Sequence, residues 1–193
     1  MMMMKKISAV LTAFAMILIL SGCAREIIVA EVLQTPVQAQ IRTAYNLWYE
    51  NPMEMDTINM QKGSIIPFGT VVEVTKASDK EICFTTVDDG KKFRIEYEYK
   101  YRLQTPEEFL KTVFTTRTEE DLRGDLDALT YEKVRRGIVE KGMTRQAVLL
   151  AYGPPCAIRT PDMALSSWLY PLDFLEYKRL IFKDNKIIEI LLP

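Results

Sequence analysis

An uncharged apolar run, Ile7 to Leu20, does most to limit what this chain can fold into. Lys5 and Lys6 precede it, and the small residues Ser21 and Gly22 follow. A positive start, an apolar stretch and small residues make up a secretory signal with its cleavage site. As a helix rising ~1.5 Å per residue the run reaches only about 21 Å, short of the ~30 Å hydrocarbon core of a bilayer. It therefore reads as a removable signal and not as a span or a core helix. Folding is then left to 171 of the 193 residues, those from position 23 onward. The first 22 residues hold two lysines and no acid, so 23 basic side chains face 26 acidic ones, a net charge of −3.

That balance gives no basic surplus to meet a phosphate backbone, so nucleic acid is not an expected partner. Histidine is absent. The commonest general base and metal ligand is thus missing, and no Ser-His-Asp or Cys-His set can form. No glycine-rich phosphate loop is present either. The composition points away from an enzyme, a metal site or a small-molecule cofactor. Three cysteines occur, Cys23, Cys83 and Cys156. The last two can form a disulfide in an oxidising compartment or stay as buried thiols.

Leu20-Ser21-Gly22-Cys23 resembles the lipobox of bacterial lipoproteins. The resemblance implies cleavage before Cys23 and a diacylglycerol on its sulfur. It implies attachment to a membrane of the cell envelope, and Ala24 at the next position favours the outer membrane, facing the periplasm. Several acyl chains make a durable anchor where one does not.

Residues 23–38 read as a tether broken by Thr35-Pro36, and 39–128 as a helix followed by a β-rich module. Ile41, Ala44, Tyr45, Trp48 and Tyr49 have helical spacing up to the stop at Asn51-Pro52. Strands are expected over 60–66, 70–75, 81–87 and 92–103, with turns at Pro67-Phe68-Gly69, Ser78-Asp79-Lys80 and Asp88-Asp89-Gly90. Four short strands with tight turns suggest a small SH3-like barrel or curled sheet. Tyr97, Tyr99 and Tyr101 fall on one face of the last strand, where they either bind sugar rings or a peptide (peptidoglycan being one candidate) or pack into the core. Thr105-Pro106-Glu107-Glu108 is a helix start with a capping box. The acidic stretch 115–128 lacks the glycine and ligand order of a calcium loop and reads as a solvated linker.

Residues 129–193 read as helix, helix and strands. Thr130 and Thr144 are the expected caps, Gly153 closes the second helix, and Asp184-Asn185 turns a final hairpin. Gly142-Met143-Thr144, Val148, Gly153-Pro154-Pro155, Trp168-Leu169-Tyr170 and Phe182 stand in the order and spacing of the BamE-like (SmpA/OmlA) lipoprotein domain, which this third of the chain resembles. The resemblance implies two helices on a three-stranded antiparallel sheet. The overall expectation is an α+β protein, an SH3-like module followed by a two-layer ααβββ domain. Its expected work is non-catalytic contact with an envelope protein, in outer-membrane protein assembly or envelope integrity.

Overall fold

The computed structural model describes residues 24–36, 39–173 and 175–193. The expected signal and Cys23 lie outside the described residues. The fold mixes helices with a curled sheet, as the α+β expectation requires.

The sheet is built from β1 (Ile41–Thr43), β3 (Met55–Asp56), β5 (Val71–Ala77), β6 (Glu81–Thr86), β7 (Lys92–Glu96) and β8 (Phe114–Thr115), in the order β3-β7-β6-β5-β1-β8. All neighbours are antiparallel except β3 and β7. A separate pair joins β2 (Leu47–Tyr49) to β4 (Ser64–Ile66). β6 alternates half-buried and buried residues, the period of a strand with one face on the core. Its turns close as their residues suggest. Ser78 Oγ accepts from the amides of Lys80 and Glu81, both at 3.2 Å, and Asp89 Oδ1 accepts from the Lys91 amide at 3.1 Å. Ile82, Phe84, Phe93 and Ile95 form the inner face, with Phe84 and Phe93 stacked 5.1 Å apart.

Two short helices, α1 (Val29–Leu33) and α2 (Tyr99–Arg102), flank a longer one, α3 (Pro106–Val113). α3 covers the core with Phe109, Leu110 and Val113. Thr105 and Glu108 form its capping box, with Glu108 N donating to Thr105 Oγ1 at 3.2 Å and Thr105 N to Glu108 Oε2 at 2.8 Å.

Four local expectations need correction. The segment 39–50 is not a helix but holds β1 and β2, because its side chains are needed on two sides at once. Tyr45 and Leu47 enter the first core while Trp48 packs on a second. The strand from Lys92 ends at Glu96, since its partner β6 begins at Glu81 and Glu81 opposes Glu96. Residues 24–36 are not a free tether. Glu26 bridges to Ser78, Ile27 is buried and its amide donates to Ala77 O at 2.9 Å, and α1 follows. The acidic stretch contains α4 (Glu119–Arg123), capped by Thr118 and Asp121.

The last third holds α5 (Ala128–Arg135), α6 (Arg145–Tyr152) and a sheet in the order β11-β10-β9, from β9 (Ser167–Pro171), β10 (Tyr177–Lys183) and β11 (Lys186–Leu191). Asp127 caps α5 in place of Thr130, whose amide donates to it at 3.0 Å. Thr144 caps α6. Asp184 and Asn185 both have positive φ, 49° and 64°, the backbone of a tight hairpin turn. Val134, Val148, Ala151, Trp168, Tyr170 and Leu180 fill the second core.

The two cores are interlocked. Phe68, on the turn between β4 and β5, is fully buried in the second core, edge-on to Tyr131 at 5.9 Å. Asn46 N donates to Leu150 O at 2.8 Å, and Asn46 Nδ2 to Val134 O at 2.6 Å. Asn46 Oδ1 accepts from Phe68 N at 2.9 Å. Asn59 Nδ2 donates to Tyr152 O at 2.8 Å, and Trp48 Nε1 to Ala151 O at 3.1 Å. The two units therefore share a polar seam with satisfied backbone groups along it.

Candidate interaction surface

The residues of the C-terminal motif meet in one place, and they build the fold. Gly142 N donates to Ile187 O at 2.8 Å and Ile187 N to Met143 O at 2.9 Å, which ties the loop before α6 to β11. Thr144 Oγ1 accepts from Ala147 N at 3.2 Å. Val148 is fully buried. Tyr170 OH donates to Gly153 O at 2.9 Å, and Trp168 Nε1 to Met163 O at 3.2 Å. Arg145 lies over Trp168 and Phe182, at 4.8 and 4.4 Å from the ring centroids. Gly153 has φ +74°, and a Cβ there would stand 2.6 Å from the Tyr45 ring. Pro154 and Pro155 border an open apolar cleft of about 280 Å³ with Leu103 and Met163.

Tyr97 and Tyr99 do not share a strand face. Tyr97 is half-buried against Phe109, its hydroxyl donates to Gln104 O, and burial raises its phenol above the ordinary range. Tyr99 opens α2 and points outward. The Tyr101 side chain lies outside the described residues. The strand that would align the three ends before the first of them. The Cys83–Cys156 disulfide is not formed. Both thiols are free, Cys83 on the outer side of β6 and Cys156 beyond α6, its amide donating to Leu169 O at 3.2 Å. Burial pushes the Cys83 thiol up. Among the described residues no group of histidine, cysteine or carboxylates stands ready to hold a metal, and no helix is long and apolar enough to cross a membrane.

The surface best built for contact is the outer face of the C-terminal sheet. The inner rows, such as Trp168–Leu180–Ile190, turn toward the second core, so the alternate rows turn to solvent. Leu169, Arg179 and Leu191 lie side by side in one such row. An open groove of about 360 Å³ runs over this row and takes in Arg159, Leu175 and Tyr177. The Arg159 guanidinium sits 5.4 Å above the Tyr177 ring. Leu175 and Leu192 are exposed, as are parts of Ile188 and Leu191. Among the described residues no carboxylate pairs with Arg159 or Arg179. The result is a mixed groove in which leucines flank two guanidinium groups, chemistry suited to a partner offering both apolar and acidic side chains.

The sequence reading missed this face and the seam. Asn46, set inside the apolar Ala44-Tyr45-Asn46-Leu47-Trp48-Tyr49, was the available signal, because a polar residue in such a run must find partners when buried. No family model, no curated protein and no solved structure matches the chain.

Proposed function

We propose that this chain is a lipid-anchored, periplasm-facing lipoprotein of the bacterial envelope. It acts as a non-catalytic scaffold that holds a partner protein on the outer face of its C-terminal sheet. The lipobox-like Leu20-Ser21-Gly22-Cys23 supports the anchor, and Ala24 supports the outer membrane as its site. The succession α5, α6, β9, β10, β11 is the element order of the BamE-like domain, and the curled N-terminal sheet is read as its SH3-like companion. Partners in outer-membrane protein assembly or envelope integrity follow from that resemblance.

The observation that carries the scaffold reading is the groove over Leu169, Arg179 and Leu191. Exposed leucines beside guanidinium groups on a folded domain offer a place where another protein can dock. The test is a photo-crosslinking amino acid placed at Leu191 or, as a control, at Val87 on the distant β6–β7 turn, in intact cells. A specific protein adduct at position 191 and not at 87 is expected. Identical adducts at the two positions, or none at 191, would refute the assignment of this face.

A further inference from the structure

We infer that the end of the protein formed by the Ser78–Lys80 turn and α2 rests on the lipid surface, with Tyr99 and Leu103 as a second, non-covalent membrane contact beside the anchor. This placement rests on the lipidation of Cys23 proposed above. Its ground is the absence of slack between the anchor and the folded body. Arg25 N donates to Asp79 Oδ1 at 2.9 Å, Asp79 N donates to Arg25 O at 3.0 Å, and Ile27 N donates to Ala77 O at 2.9 Å. Arg25 Nη1 also meets Glu107 Oε1 at 2.5 Å. The chain is thus pinned to the β5–β6 turn from its second residue past the cysteine. Two residues span at most about 7 Å. A lipid on Cys23 must emerge next to this turn.

The side chains around that point fit a bilayer interface. Tyr97 N donates to Lys80 O at 2.8 Å, which brings the start of α2 to the same end of the sheet. Tyr99 is 61% exposed and Leu103 52% exposed. Leu103 has φ +55°, the left-handed backbone of the helix C-cap. The turn is closed by Leu103 N donating to Tyr99 O at 2.8 Å. An exposed leucine gains from apolar contact with acyl chains, and tyrosine is a residue favoured at the headgroup level. Leu103 continues into the cleft walled by Pro154, Pro155 and Met163, which widens the apolar footprint. Lys80 is exposed on the same end, while Lys100 pairs with Glu98 at 2.8 Å. β6 then runs away from the membrane and carries Val87 roughly 20 Å outward, at ~3.4 Å per residue.

The test uses the chain purified from cell membranes. A Cys83→Ser, Cys156→Ser background receives one cysteine, Leu103→Cys, Tyr99→Cys or Val87→Cys, labelled with an environment-sensitive dye. The protein is reconstituted into vesicles of phosphatidylethanolamine and phosphatidylglycerol that carry a nitroxide-labelled lipid. Quenching at 103 and 99 is expected to exceed that at 87 several-fold, with a blue-shifted emission. Equal quenching at the three positions overturns the placement while leaving the anchor intact. The intact mass, read first, separates the two ideas. Loss of residues 1–22 with a diacylglycerol on Cys23 upholds the anchor, and a mass without lipid overturns both.

Discussion

Asn46→Ala strikes the seam where the two cores meet. The wild-type side chain is fully buried and serves two backbone groups, accepting from the Phe68 amide at 2.9 Å and donating to the Val134 carbonyl at 2.6 Å. Alanine leaves the Phe68 amide buried and unpaired, while the Val134 carbonyl keeps the Gly137 amide, which donates to it at 2.8 Å. An orphaned buried donor costs ~1–3 kcal/mol, so the variant loses about that much. A domain of this size has a urea dependence of about 2 kcal/mol per molar, so the midpoint falls by roughly 0.5–1.5 M. Urea unfolding of a form lacking residues 1–23, followed by tryptophan fluorescence, reads this directly. Trp48 lies at the seam and Trp168 in the second core, so both report one shifted transition. Asn46→Asp supplies a check with a sign. It keeps the acceptor for Phe68 but sets a carboxylate oxygen against Val134 O. Burial raises that carboxyl's folded pKa, so the variant regains stability as pH falls through the raised value and the acid can donate again. A midpoint shift for Asn46→Ala below about 0.2 M, under half of the smallest expected shift, would refute the claim that the seam depends on these bonds.

Two further outcomes follow. Gly137 has φ +67° and a Cβ there would stand 2.1 Å from Trp48 Cζ2, so Gly137→Ala should abolish soluble folded protein. Gly90→Ala, at φ +69° with open space around it, should cost only about 1 kcal/mol in a thermal melt, and similar effects at the two sites would contradict the packing described. Cys83 and Cys156 should both react with a thiol reagent in the native protein without reductant, and the rate at Cys83 should go on rising with pH beyond the ordinary thiol range, because burial holds its thiol protonated. Two unreactive thiols that appear only after reduction would refute the free-thiol assignment.

Local signals with a direct chemical cause were legible in the sequence. The Thr105 and Glu108 box, the Thr144 cap, the Gly153 stop and the Asp184-Asn185 turn each involve groups a few residues apart, so the chain carries the whole instruction locally. Features set by a distant partner were not legible. The strand over 92–103 alternates past Glu96, but pairing stops where β6 supplies no further residue, and α2 takes over. Residues 41–49 carry apolar side chains at helical intervals because they divide between two cores, a pattern that a 3.6-residue period imitates. Ile27 falls in the expected tether although Ile27, Ile28 and Val29 are apolar; its burial depends on the edge at Ala77, fifty residues away in sequence. The outer face of the last sheet escaped notice because exposed Leu175 and Leu191 read, in sequence, as ordinary core aliphatics.

The insertion of Phe68 into the second core also sets an order of assembly. A chain made from its N-terminus presents Phe68 and Trp48 well before Val134, Ala151 and Trp168 exist to receive them. The Asn46–Val134 bond spans 88 residues and the Trp48–Ala151 bond 103. Closing a loop of that length costs about 4 kcal/mol of chain entropy before any contact repays it. Such remote pairings slow folding and lengthen the life of the half-formed state. The first 128 residues alone would leave Phe68 and Trp48 without the core that receives them until the last third arrives.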